Sequence, residues 1–326
     1  MIRFGILGAG RIAHTFAQAI QATSGTLHAV ASRDFTRAQA FQQNYAIAKA
    51  YGSYPALYDD PDVDVIYVAT PHGLHYTQMM AALDSKKHLL TEKAFTLNAR
   101  EAREVFDKAK TQNTFVMEAM WTRFLPVTRT LETRISEGII GPVKSLKATF
   151  SFAGDLRESG RLMNPSLGGG ALLDVGIYPL TYADLFGRIP DSLTSQHTKS
   201  NTGVDLWNQI EIDTGDFQAT LESGFLENKP REAIITGENG QIIVPSFWAA
   251  EDAFIYDANG QLIEHVHHPH AVNGFEYEIE AVIEAIAQQV REHPIMPHAK
   301  TIEMLERMDA LRNAWGVVYP GEKITS

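Results

Sequence analysis

The apolar run Ile2-Arg3-Phe4-Gly5-Ile6-Leu7 passes without a break into Gly8-Ala9-Gly10-Arg11-Ile12-Ala13, so the chain begins as a buried strand, a glycine-rich turn and a helix. In such an arrangement Gly8 supplies the tight turn and Gly10 lets the backbone approach a pyrophosphate. Ala13 lets helix and strand pack closely, and the helix N-terminus faces the anion. A glycine triplet alone is a weak signal, but a strand before it and a helix after it are the context it requires. The pattern predicts a dinucleotide-binding turn, with Gly8, Gly10, Arg11 and Ile12 among its contacts.

Composition narrows the remaining possibilities. A chain of 326 residues with 44% hydrophobic content has enough apolar material for two domains. Its 28 basic and 39 acidic residues leave a formal charge of −11, the wrong sign for a nucleic-acid partner. Cysteine is absent, which excludes disulfides, thiolate nucleophiles and cysteine-ligated metals. The N-terminus carries a strand rather than a basic, cleavable apolar leader, and no long apolar run suggests a membrane span. These features lead us to expect a soluble cytoplasmic protein without a membrane partner.

Along residues 1–120, apolar strands (2–7, 27–31, 65–69, 88–91, 115–118) alternate with amphipathic helices (11–22, 36–44, 75–84, 98–112). That rhythm predicts βα units and a doubly wound parallel sheet, the Rossmann arrangement. After a helix at about 124–137 the pattern changes. Segments 143–153, 209–213, 217–226 and 232–236 read as strands, and Asn239-Gly240 and Asn259-Gly260 favour two-residue hairpin turns. Residues 121–326 are therefore expected to form an α+β domain with a large open, mostly antiparallel sheet, closed by helices at 276–289 and 301–315. A sheet with one uncovered face would expose an apolar surface, so a homodimer through that face is expected.

The end of the second strand indicates which dinucleotide is bound. A free ribose is usually held there by an acidic residue, whereas a 2′-phosphate needs a cation and a small polar group. Here Ser32 stands in the acid's place, Arg33 follows, and Arg37 lies one helical turn further. We read Asp34 as the cap of the next helix, which favours NADP. A one-residue change of register would make Asp34 the ribose acid and favour NAD.

Three further segments fall where such a sheet places its ligands. Thr70-Pro71-His72, continuing to His75, should border the nicotinamide ribose. Glu92-Lys93 ends the next strand, where a lysine is costly unless it serves a charged or reacting group. Gly168-Gly169-Gly170 feeds a helix on which Asp174 and Tyr178, four apart, share a face. Trp121 and Arg123 could line the nicotinamide end, and Phe275 could wall the substrate pocket. His265, His267, His268 and His270 cluster near the end of the strand-rich region; adventitious zinc or nickel binding is conceivable there, but no functional metal is expected.

Taken together, these segments resemble the glucose–fructose oxidoreductase/inositol dehydrogenase (Gfo/Idh/MocA) superfamily over nearly the whole chain. Most members carry a histidine where Tyr178 stands here. That departure, with Met117-Glu118-Ala119-Met120-Trp121-Thr122-Arg123-Phe124, is most similar to the branch containing dimeric dihydrodiol dehydrogenase and NADP-dependent D-xylose 1-dehydrogenase. The resemblance implies direct hydride transfer between nicotinamide C4 and a carbinol carbon of a sugar or cyclic diol. It also implies that Tyr178 is the acid/base and that Lys93, Trp121 and Asp174 contact substrate. Tyrosine ordinarily titrates near pH ~10, so it needs a neighbouring cation, which Lys93 can supply. Alternatively Lys93 moves the proton and Tyr178 binds the hydroxyl. Two competing readings are a catalytically silent dinucleotide sensor on the same fold and an NAD-preferring polyol dehydrogenase.

Overall fold

The computed structural model describes residues 1–322. Its elements in chain order are β1 (Arg3–Leu7), α1 (Arg11–Ala19), β2 (Thr26–Ala31), α2 (Phe35–Tyr45), β3 (Lys49–Tyr51), α3 (Tyr54–Tyr58), β4 (Val65–Val68), α4 (His75–Asp84), β5 (His88–Glu92), α5 (Ala99–Gln112), β6 (Val116–Ala119), α6 (Pro126–Ser136) and β7 (Val143–Ser151). Then follow α7 (Ile177–Phe186), β8 (Thr194–Lys199), β9 (Asp205–Asp213), β10 (Gln218–Gly224), β11 (Glu232–Gly237), β12 (Gly240–Pro245), β13 (Asp252–Asp257), β14 (Leu262–His267), α8 (Phe275–Ala287) and α9 (His298–Trp315).

Two units emerge from the internal contacts. The first comprises Met1–Trp121 with His270–Glu303, the second Thr122–Pro269 with the stretch from Met304. The sequence places the whole of 121–326 in one domain, whereas residues 270–303 group with the first unit. The reason is that α8 packs on α1, and Glu280 on α8 accepts hydrogen bonds from the Ser24 backbone N–H and hydroxyl at 2.8 and 2.6 Å.

The first unit is a six-stranded parallel sheet in the order β3-β2-β1-β4-β5-β6. Strands buried on both faces need continuous apolar runs, and Val65-Ile66-Tyr67-Val68 is wholly buried. The chain order reverses beside β1, which opens a crevice at the carboxyl end of the sheet where such folds bind ligands. The five strands expected from sequence are present. Strand β3 went unread because its three half-buried residues carry no alternation.

The second unit is an eight-stranded sheet in the order β14-β13-β12-β11-β7-β10-β9-β8, antiparallel except for the β7–β10 pair. Helix α7 packs against β7, β10 and β11. The opposite face is more polar than the sequence suggests. On it Trp207 donates to Glu222 at 2.6 Å, and Glu211 accepts from Gln209 and Thr220 at 2.6 and 2.8 Å. The hairpin turns also differ from the expected two-residue form. Thr236 pairs with Gln241, leaving four residues between them. Gly260, at φ +78°, instead closes a longer turn in which its N–H donates to the Asp257 carbonyl at 3.0 Å. Among the described residues, no helix is long and apolar enough to cross a membrane.

The segment entering α7 also departs from a regular α-helix: Leu172–Gly176 is a π-helical turn. Gly170 precedes it at φ +116°, and a Cβ there would lie 2.4 Å from Asp205 Oδ1. Buried Asp205 accepts from the Leu172 N–H at 2.7 Å and from Asn208 at 2.9 Å, so it anchors the start of the turn. A Gly170→Ala substitution meets both the left-handed penalty and the collision. We expect it to destabilise the protein by roughly 2–4 kcal/mol, measured by urea denaturation. A loss below about 0.5 kcal/mol would show that the loop relaxes freely.

Candidate functional site

In the first unit, Gly8 turns the chain out of β1 at φ +104°, and a Cβ there would lie 2.9 Å from the Thr70 methyl group. Gly10 is the N-cap of α1 and contributes no side-chain cap among the described residues, while a Cβ on it would meet only the Ala69 carbonyl, 4.0 Å away. The helix N-terminus, with exposed Arg11 and half-buried Ile12 in its first turn, therefore presents backbone N–H groups beside open space. That is the local geometry a pyrophosphate needs.

At the end of β2, Ser32 is buried; its N–H donates to the Tyr51 carbonyl at 3.0 Å and its hydroxyl accepts from the Asp34 N–H at 3.2 Å. Asp34 accepts from the N–H groups of Thr36 and Arg37 at 3.0 and 3.4 Å, so its carboxylate caps α2 as read from the sequence. Arg37 is exposed and lies 3.7 Å from Asp34. Arg33 is exposed and has no ion-pair partner among the described residues. This end of the crevice thus offers a hydroxyl and a cation, with the nearby carboxylate already engaged.

The loops after β4 and β5 are tied together by two histidines. His72 Nε2 lies 3.0 Å from the Lys93 carbonyl oxygen. His75 is fully enclosed, with Nε2 2.7 Å from the Thr70 carbonyl and Nδ1 3.1 and 3.2 Å from those of Ala94 and Phe95. Burial lowers the His75 pKa, which keeps the ring neutral near neutral pH. The sequence groups both histidines with cofactor contacts; in the structure His75 is wholly buried with its nitrogens at the carbonyls of Thr70, Ala94 and Phe95, and His72 lies at the carbonyl of half-buried Lys93.

Beneath Glu92 lies a cluster of carboxyl groups that the sequence reading missed. Glu92, Glu118 and Glu278 are all buried. Glu92 accepts from the Tyr67 hydroxyl. Glu118 accepts from the Phe95 N–H at 3.1 Å and the Thr301 hydroxyl at 2.9 Å. Neither Glu278 oxygen has a hydrogen-bond partner among the described residues. Burial, then repulsion by Glu92 and Glu118, pushes the Glu278 pKa well above the ordinary carboxylate range. A strand-by-strand reading had no means of finding the cluster, because Glu278 reaches it from α8, far along the chain. Trp121 and Phe275 meet through the same return: their rings pack edge to face at 4.8 Å, with His270 6.3 Å from Trp121.

The second unit carries Asp174 and Tyr178. Asp174 sits in the π-helical turn and Tyr178 in the first turn of α7, so the simple α-helical spacing assumed from sequence does not apply. Such turns recur at functional sites. Arg161 grips Asp174 with two bonds of 3.1 Å, a partner the sequence gave no reason to single out. Tyr178 stacks on Phe150 with centroids 5.5 Å apart, and Phe150 in turn packs on Trp248 at 4.3 Å. Arg123 is buried against α7, where it donates to Asp184, so its guanidinium is engaged inside this unit.

A parallel sheet whose first helix starts at a glycine turn, followed in the chain by an open, mostly antiparallel sheet, is the architecture of two-domain dinucleotide oxidoreductases. The comparisons agree. Residues 2–120 match the oxidoreductase family with an NAD-binding Rossmann fold, and residues 128–243 match the GFO/IDH/MocA C-terminal domain. Trans-1,2-dihydrobenzene-1,2-diol dehydrogenase of Xenopus tropicalis is 34% identical over 329 residues, covering 98% of this chain and 99% of the relative. The Mus musculus enzyme of the same name is 32% identical, covering 99% of each chain. Among solved structures, a 3-ketoreductase from Actinomadura kijaniata in complex with NADP and TDP-benzene superposes with a TM-score of 0.84 at 26% identity, covering 95% of this chain and 97% of that one. The chain belongs to the Gfo/Idh/MocA oxidoreductase family.

The buried carboxyl cluster makes stability depend on pH. Glu278 titrates near pH ~4.3 when unfolded and well above that when folded, so the native state binds the extra proton. Its stabilising contribution is complete below the unfolded pKa and is lost as pH rises towards the folded one, by up to about 1.4 kcal/mol per pH unit. Glu278→Gln should remove that slope. In urea denaturation the variant is expected to gain on the wild type between acidic and alkaline pH, and parallel curves would refute the assignment.

Proposed function

We propose that this protein is an NADP-dependent dehydrogenase acting on a carbinol carbon of a sugar or cyclic diol. The observation that carries the reading is the end of β2. Ser32 and exposed Arg33 suit a 2′-phosphate, and the carboxylate that could have bound a free ribose caps α2 instead. Near-full-length likeness to dihydrodiol dehydrogenases supports the substrate class.

In this reading the N–H groups at the start of α1, with Gly8 and Gly10 giving backbone access and Arg11 and Ile12 alongside, hold the pyrophosphate. Ser32, Arg33 and Arg37 hold the 2′-phosphate, and Thr70, Pro71 and His72 border the nicotinamide ribose, with His75 and Glu92 supporting that edge. Bound NADP supplies the hydride acceptor or donor at nicotinamide C4. Tyr178 takes the hydroxyl proton during oxidation and returns it during reduction. Lys93, directly after β5, is the second candidate for moving that proton. Asp174, held by Arg161, is proposed to orient the acid/base or balance its charge, and Trp121 and Phe275, packed on each other, are proposed substrate contacts. We also propose a homodimer in which a second copy covers the outward sheet face, where Trp207, Ile234 and Ile243 lie partly exposed among polar residues.

Formation of reduced nicotinamide is the direct assay, with NADP and NAD offered against aldoses, inositols and cyclic diols. Turnover is expected with NADP, and Tyr178→Phe should lower kcat by about 10²–10⁴-fold while leaving dinucleotide affinity intact. Arg33→Ala should raise the KM for NADP by roughly tenfold and leave that for NAD unchanged. Dinucleotide binding without turnover on any substrate would favour the sensor reading. Sedimentation tests the dimer, and a monomer at micromolar concentration would rule it out.

A further inference from the structure

We propose that Asp252, His265 and His267 form a binding site for a divalent transition ion of the zinc class on the β13–β14 ribbon, outside the dinucleotide chemistry. The antiparallel register pairs Asp252 with His267 and Phe254 with His265. Directly opposed residues point to the same side of a sheet, as do residues two apart on one strand. The register therefore places one carboxylate and two imidazoles on the outward side, while Ala253 and Val266 are buried on the other.

The donors also converge. His267, directly across from Asp252, approaches Oδ1 through its near nitrogen, Nδ1, at 2.8 Å. His265 lies on the diagonal and reaches the same oxygen through its far nitrogen, Nε2, at 2.7 Å. One ligand atom from each residue falls within a cluster spanning no more than 4.8 Å. Zinc bonds of about 2.0–2.2 Å in tetrahedral geometry separate donor atoms by roughly 3.3 Å, so small side-chain rotations would admit the ion. The imidazole of His265 is braced by Phe254, stacked at 4.6 Å with the planes 10° apart. All three residues are partly exposed in the single chain, which leaves a fourth position open to water or, in the proposed dimer, to the second copy. Two imidazoles and one carboxylate favour zinc, nickel or copper over magnesium or calcium, which prefer all-oxygen sites.

The ion would act as a fastener. Strand β14 is one of the two edges of the eight-stranded sheet and pairs with β13 alone, so a ligand shared by both strands would tie down a strand with a single sheet neighbour.

The test is a calorimetric titration of zinc chloride into the full-length chain, free of any histidine tag, near neutral pH. We expect one equivalent to bind, with slower hydrogen exchange across residues 252–267. His265→Ala and His267→Ala should each weaken binding by roughly tenfold or more, the scale at which even supporting residues act in metal sites. The altered side chains are partly exposed, and circular dichroism would confirm that the variants fold. His268→Ala should leave binding unchanged, and calcium should fail to replace zinc. The absence of zinc binding would overturn the proposal. So would binding that survives the double histidine variant, because it would place the ion elsewhere, for example at His28, Asp60 and Asp62. There the Lys49 ammonium already lies 2.9 Å from both carboxylates.

Discussion

The clasp of His72 and His75 on the backbone carbonyls of the neighbouring loop determines the shape of the candidate dinucleotide edge. Two loops that emerge from adjacent parallel strands would otherwise depend only on their strand ends for position. The enclosed His75 ring lies between the Thr70 carbonyl on one side and those of Ala94 and Phe95 on the other, and as a neutral imidazole it donates its one N–H to one of the two sides. His72, on the Thr70 loop, makes the corresponding contact with the Lys93 carbonyl. The same loop approaches Gly8 so closely that a Cβ there would strike Thr70.

The second unit solves a similar problem with an acid. Asp205 is buried and its pKa is raised by burial, yet it accepts from a backbone N–H and an asparagine amide and so anchors the start of the π-helical turn. The Tyr319 hydroxyl donates to the Gly169 carbonyl at 2.6 Å and holds the other side of the glycine run. Close packing accounts for a glycine at 169, where a Cβ would lie 2.6 Å from the Leu162 carbonyl oxygen. Tyr178 inherits its position from this packing, and Arg161 fixes Asp174 beside it in the chain.

Most of the fold was legible because it follows from periodicity. Continuous apolar runs gave the parallel strands, alternation gave the open sheet, and Asp34 was legible as a cap because capping is local. The short β3, the four-residue turn after Thr236 and the π-helical turn were not, since each depends on contacts with other segments. The open face illustrates the difference well. Its composition reads as amphipathic strand, but the hydrogen bonds joining Trp207 to Glu222 and Glu211 to Thr220 exist only once β9 and β10 align. For the candidate site, the residues proposed to carry chemistry stood out by type and position. Their supports, Arg161, Phe150, Glu118 and Glu278, did not, because each lies far along the chain or appears ordinary in its local sequence.

By itself the sequence determined the strand–turn–helix at the N-terminus, the alternation of βα units, the family, and the set of polar residues at the strand ends. These follow from backbone sterics and hydrophobic period, which act over a few residues. Only tertiary structure decided that α8 returns to the first unit and brings Phe275 to Trp121, that His75 faces carbonyls rather than solvent, and that three carboxyl groups share one buried region. Burial and long-range approach set those outcomes. The energy of a charge or an aromatic ring depends on what surrounds it in space, and its neighbours along the chain do not specify that.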